Sequence, residues 1–206
     1  LQLSPANSSQ DLLPLVPGLF IAQHAGGGKA EQIFLRGFDL DHGTDINLSV
    51  DGIPVNMVSH AHGQGYADLH FLIPETIREV EHGKGPYHAD KGNFTTAGYV
   101  DFQTKNALSQ NELKLEVGQF NTYRGLMMLD VLPKGEKHQA YLAAEFLTSD
   151  GYFEASQNFI RSNIFAKYTG QLSQNTLLKV SASYFGSSWD ASGQIPVRAV
   201  EQGLIG

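Results

Sequence analysis

The chain has no cysteine among its 206 residues. That excludes a disulfide framework and any thiolate metal site. It also has no apolar run of the roughly 18 residues that a membrane helix needs, although strands that cross a bilayer alternate and escape such a count. Basic residues are few: 14 Lys and Arg stand against 21 Asp and Glu, a formal charge of -7. Such a balance supplies no basic face for nucleic acid, which is therefore not expected as a partner. The glycines at 26–28 are followed neither by Gly-Lys-Ser/Thr nor by a Gly-x-Gly-x-x-Gly helix opening, so they are not a phosphate loop. The chain opens on Leu1 with no charged-then-apolar leader, so any signal peptide is expected to be gone already. What is present is glycine, 22 residues, with 12 Phe and 8 Tyr against one Trp. That mixture suits aromatic-bearing strands joined by tight turns.

The stretch 33–56 organises the first half. A strand is predicted over 32–38, ending in Arg36-Gly37. A second over 46–50 turns at Asp51-Gly52 and resumes through Ile53-Pro54-Val55. Asp-Gly between apolar runs marks a turn because Gly takes positive φ at no steric cost. Pro54 lacks an N–H and belongs on an edge strand. Upstream, 1–18 reads as a short helix, with Ser8 to Asp11 as cap candidates, Pro14 in the first turn and Pro17-Gly18 as the stop. Residues 19–22 read as a short strand, Pro74-Glu75-Thr76-Ile77 as a capped turn, and 77–81 and 99–104 as strands.

From about residue 111 the texture changes to long alternation. Leu113, Leu115 and Val117 share one face, as do Leu142, Ala144 and Phe146. Ile160, Ile164, Ala166 and Tyr168 lie opposite Arg161, Asn163 and Lys167. Leu178, Val180, Ala182 and Tyr184 lie opposite Lys179, Ser181 and Ser183. The segment 123–132 is apolar on both faces. Five strands of about 9–11 residues match a tilted bilayer crossing. Compact polar turns (133–138, 170–175) alternate with long connections (149–158, 187–206), as in an outer-membrane barrel. A soluble meander with one wet face shares the same period.

Six segments then occur in order: Leu-Val-Pro-Gly-Leu-x-Ile (15–21), Ile-Phe-Leu-Arg-Gly (33–37), Val-Asp-Gly-Ile-Pro-Val-Asn (50–56), Ile-Arg-Glu-Val-Glu (77–81), Gly-Lys-Gly-Pro (83–86) and Gly-Tyr-Val-Asp-Phe-Gln-Thr-Lys (98–105). In this order and spacing the chain resembles the TonB-dependent outer-membrane receptors over 15–105. Beyond that it matches only by pattern, plus Ser-Gly-Gln-Ile-Pro (192–196) in a loop position. The resemblance implies an α+β plug domain, a small mixed sheet with short helices, over 1–107. Antiparallel transmembrane β-barrel strands would follow over 108–206. Receptor barrels of this kind have about 22 strands, so the barrel is incomplete in this chain. TonB is the expected partner through a segment upstream of Leu1, with outer-membrane lipid around the wall. No cofactor and no catalysis are expected.

By position in the family, the plug's apical loops fall at 24–29, 39–44 and 57–66. The resemblance thus makes Lys29, His42, His60, His62 and Tyr66 candidates for contact with an extracellular small-molecule or metal-complex ligand. Imidazole suits Zn, Cu, Fe and Ni, so His60 and His62 are also candidate metal ligands, against the plainer reading as polar loop residues. Arg36 looks like the family's plug arginine that pairs with wall carboxylates. The second such position carries Lys84, which keeps the charge and loses the fork. The expected function is active uptake of a scarce solute across the outer membrane of a Gram-negative bacterium, with a ferric siderophore first and another metal complex second. Two alternatives stay open. One is a periplasmic metallohydrolase using His60 and His62 with Asp68 or His70. The other is a soluble β-rich ligand-binding module.

Overall fold

The computed structural model describes residues 8–22, 27–39, 44–60, 66–132, 135, 137–191 and 195–205. His42 and His62 lie outside the described residues.

The predicted first helix is a seven-residue 3₁₀ turn, Ser9–Leu15. Asp11 Oδ2 accepts the Ser8 N–H at 2.9 Å, so the cap is where the sequence puts it. Pro14 sits inside the element, however, and its ring is incompatible with the carbonyl four residues back, which stops an α-helix from forming. Strand β1 (Leu19–Ala22) then pairs antiparallel with β2 (Gln32–Leu35), Leu19 opposite Leu35.

The predicted strand over 32–38 is a hairpin instead. β2 ends at Leu35, Arg36 and Gly37 take φ 55° and 82°, and β3 (Phe38–Asp39) folds back with Phe38 opposite Leu35. Two successive positive-φ residues make the turn that matches strand twist. Asp51 and Gly52 repeat it at φ 51° and 79°, between β4 (Ile46–Val50) and β5 (Ile53–Pro54). Pro54 is on an edge strand as expected, because the sheet runs β5-β4-β7-β6. Here β6 is Ile77–Lys84 and β7 is Gly98–Thr104. β7 is parallel to β4 and antiparallel to β6, so the sheet is mixed. The plug core gathers Leu13, Leu35, Ile46, Leu48, Val100 and Phe102 between this sheet, the smaller β1-β2-β3 sheet and the 3₁₀ turn.

Five consecutive antiparallel strands make the third sheet: β8 (Glu112–Gly118), β9 (Thr122–Asp130), β10 (His138–Ser149), β11 (Phe159–Ser173) and β12 (Thr176–Ser188). The face carrying Leu113, Leu115, Phe146, Ile164 and Val180 is exposed, Leu115 by 77%. The opposite face carries Arg124, Glu145, Arg161, Asn163 and Lys167, all buried. This inverts the soluble rule of apolar inside and polar outside, as a lipid-facing wall requires. It also explains why 123–132 reads as apolar on both faces. Tyr123 and Met127 point outward, while Leu126 and Met128 pack inward with Tyr141 and Phe165 against Ile73 of the plug. Among the described residues the five strands do not close a barrel. The long connection after β12 contains one helical turn, α1 (Val197–Glu201), where the sequence predicts only a loop.

Candidate functional site

The plug rests on the wall through two ionic seats. The first is built around Glu75, in the 3₁₀ turn Pro74–Thr76 that precedes β6. Arg124 of β9 donates from Nη1 and Nη2 to both Glu75 oxygens, each at 2.7 Å. Its Nε donates to Glu145 Oε2 at 2.8 Å. Arg161 Nε and Asn163 Nδ2 donate to Glu145 Oε1 at 2.9 and 3.0 Å. Glu145 is fully enclosed, and its two guanidinium partners are almost so. Arg suits this role because its planar fork meets two carboxylates at once.

The second seat is the Asp51 turn. Lys167 of β11 donates to Asp51 Oδ2 at 2.9 Å and to Thr104 Oγ1 at 2.6 Å, and Thr104 Oγ1 in turn donates to Asp51 Oδ2 at 2.6 Å. A residue chosen to turn a hairpin therefore also anchors the plug.

Both plug carboxylates titrate below their ordinary values. Burial opposes this at Asp51, but hydrogen bonds from Thr104 and Lys167 outweigh it. Burial likewise opposes it at Glu75, but Arg124 outweighs it. Groups lowered in the folded state contribute stability above their ordinary values of 3.8 and 4.5 and lose it as pH falls through the lower folded values. Plug docking is thus expected to weaken below about pH 4, measurable as faster proteolysis of the plug in the assembled receptor. Unchanged cleavage down to about pH 3 would show that the seats do not hold it.

At the end of the wall with the long connections, the sequence-predicted contact residues come together in part. Met57 and Tyr66 exchange backbone hydrogen bonds (2.8 and 3.1 Å). The His60 ring stacks on Tyr66, centroids 4.3 Å apart and planes 15° off parallel. Burial, then the charge of Asp68, raises the Tyr66 hydroxyl, with the backbone at Ala30 opposing. Lys29 is half-buried next to Ala30. The backbone at Gly27 and Gly28 passes close to the start of β11 and to the residue just after β12: the Trp189 ring fills the space a Gly28 side chain would need, and Phe159 lies 3.8 Å from where one on Gly27 would start. His60 makes no metal-competent group with two other His, Asp or Glu among the described residues.

Arg36 and Lys84 lie elsewhere. Arg36 is at the exposed tip of the β2–β3 turn, its guanidinium beside Gly85 and Tyr87. Lys84 is exposed at the end of β6 with its Nζ beside Gly18. Among the described residues neither pairs with a carboxylate. The plug–wall pairs that are present run the other way, plug carboxylates to wall cations. Charged residues on the inward face of barrel strands were the available signal for Arg124, Arg161 and Lys167. Their partners could not be read locally, since Asp51 and Lys167 are 116 residues apart.

An apolar-outside, charge-inside wall with a small α+β body seated on its charged face defines a plugged outer-membrane barrel protein. Residues 1–99 match the family model described as the TonB-dependent Receptor Plug Domain. Residues 1–99 are thus a TonB-dependent receptor plug domain, and the wall strands after them have the fold of outer-membrane receptor barrels. The fold of the chain is similar to that of the "Copper transporter OprC" (TM-score 0.72, 20% identity, 94% of this chain and 30% of that one). It is also similar to the "Pyoverdine outer membrane receptor FpvA from Pseudomonas aeruginosa PAO1" (TM-score 0.62, 18% identity, 88% and 26%). A third similar structure is the "Ferric-Catecholate import receptor Fiu from E. coli K12" (TM-score 0.66, 19% identity, 93% and 26%). The chain thus spans under a third of the length of each. The plug-domain match and these structures favour the receptor reading over the metallohydrolase and soluble-module ones.

Proposed function

We propose that this chain is the plug and first wall strands of a receptor that takes up a scarce solute, a ferric siderophore or other metal complex, across the outer membrane. The plug occupies 1–107 and the barrel strands begin within 108–206. The observation that carries the reading is the plug's attachment by directional ion pairs to the buried face of a lipid-type wall. Such a plug is rigid at rest and has discrete contacts to break. TonB, engaged through a segment upstream of Leu1, supplies the force; outer-membrane lipid surrounds the wall. Names among the similar structures, copper transporter and pyoverdine and catecholate receptors, support the metal-complex class.

Lys29, His42, His60, His62 and Tyr66 form the solute-contacting set. Lys29 offers a cation to an anionic complex, and the His60–Tyr66 stack offers a flat aromatic face. His60 and His62 are the pair that would ligate a metal directly. Arg36 and Lys84 are kept for carboxylates on later wall strands.

The test is accumulation of radiolabelled iron or copper complexes by cells expressing the intact receptor, with and without TonB. Uptake that requires both supports the reading, and uptake indifferent to TonB sinks it. Replacing His60→Ala and His62→Ala together is expected to weaken binding of the carried metal complex about tenfold or more in calorimetric titration. An unchanged isotherm removes these two residues from the site.

A further inference from the structure

His70 is buried in the segment that runs from Tyr66 into the plug core. Its Nδ1 is 2.6 Å from Asp68 Oδ1, and its Nε2 is 3.1 Å from the Gly27 carbonyl oxygen. A carboxylate and a carbonyl are acceptors only. Neutral imidazole has one N–H, so one ring nitrogen would turn its lone pair on another acceptor; only imidazolium donates to both. The ring is not free to turn away. The His70 N–H donates to the same Asp68 oxygen at 2.8 Å, and the Phe159 ring meets the imidazole edge at a centroid distance of 6.5 Å. From the other side, Asn163 of the wall donates to the His70 carbonyl at 2.9 Å and to Glu145. One residue thus joins the glycine loop, the plug core and the wall's ion network.

We propose that His70 is a proton-operated clip: protonated, it fastens the glycine loop at residues 27–29 to the plug and wall, and on losing its proton it lets that loop lift. The freed loop carries Lys29, so access of solute to that side chain becomes dependent on pH. The inference rests on the plug–wall geometry and not on which solute is carried.

The charged groups around the ring come from four elements. Asp68 lies on its own segment, Glu31 at the start of β2, Arg161 on β11, and Asp11 in the first 3₁₀ turn within the field of Glu31. Burial works against the charge on His70, but the hydrogen bond and charge of Asp68, with Glu31 adding and Arg161 opposing, raise it above the ordinary 6.5. Its contribution is therefore complete below about 6.5 and is lost as pH rises through the raised value. Burial pushes Glu31 up to about 7, against the charge of His70. A carboxyl that ionises only there penalises the folded plug as pH rises from 4.5 to about 7. Both groups act in one direction: the clip is closed in acid and opens toward alkali. The Asp51 and Glu75 seats respond oppositely and at far lower pH, so they stay intact while it opens.

Hydrogen exchange on the full-length receptor in detergent tests this. Amides 27–31, corrected for intrinsic chemistry, are expected to exchange about tenfold faster at about pH 9 than at about pH 6. In His70→Gln the corrected rates are expected to be fast and equal at both pH values. Glu31→Gln keeps the titrating ring but removes a supporting charge, so the opening moves to lower pH. Flat wild-type exchange across this range overturns the proposal, as does a pH step of wild-type size in His70→Gln. If His70→Gln does not fold, the wild-type profile and the direction of the Glu31→Gln shift decide.

Discussion

Arg124→Ala is expected to destabilise the assembled receptor by about 3 kcal/mol, the cost of taking the shared, buried counter-charge from two carboxylates that each keep one weaker or already committed cation. Arg124 is 1% exposed and is the single bridge between Glu75 of the plug and Glu145 of the wall. Its loss leaves Glu75 with Lys114 alone, at 3.1 Å from a half-exposed side chain, and Glu145 with Arg161 and Asn163. The thermal unfolding midpoint of the receptor in detergent should fall by several degrees, and protease should reach the plug in the folded barrel. Replacing both ends, Arg124→Met with Glu75→Gln, should recover much of the loss, because a buried pair replaced by neutral groups of similar volume costs little. A single variant with unchanged stability would mean that the seat does not hold the plug.

The second large effect is expected on the other face of the same sheet. Ile164 lies on β11, 48% exposed, flanked on the wall by Asn163 and Phe165, which face the plug. Ile164→Arg places a charge where lipid is expected and should cost about 2–4 kcal/mol if the position lies near the bilayer midplane. The readout is the equilibrium of folding into phospholipid vesicles. A change of a few tenths of a kcal/mol, as on a water-facing surface, would contradict the lipid assignment.

Which parts of this structure are legible in the sequence follows from the range of the forces involved. Turns and strand faces are local. Asp51-Gly52 and the alternation at Leu113, Leu115 and Val117 lead straight to β4–β5 and to the outer face of β8. Two local expectations fail for identifiable reasons. Pro14 converts a predicted helix into a 3₁₀ turn, and Arg36 adopts φ 55°, a conformation that side chains disfavour, so a predicted strand folds back on itself. The ionic seats are not local. Asp51 reads as a turn residue and Glu75 as a helix-start residue, and both are, yet each also meets a wall cation far along the chain. In sequence His70 reads only as an alternative ligand beside Asp68, because its bridging role depends on where the Gly27 carbonyl is brought. The apical set is only partly placed, since His60 and Tyr66 stack while His42 and His62 lie outside the described residues.

The central claim is that 112–188 form a membrane wall with lipid on one face and the plug on the other. Because this chain has no cysteine, a single introduced thiol can carry a spin label without interference from within it. Labels at Lys114→Cys, Leu115→Cys, Asn163→Cys and Ile164→Cys in the intact receptor in vesicles would be scored for collision with oxygen, which enters lipid, and with a polar nickel chelate, which does not. The account predicts strong oxygen and weak nickel contact at 115 and 164, and weak contact with both at 114 and 163. Loss of this two-residue alternation, or nickel contact at 115 and 164, would contradict it.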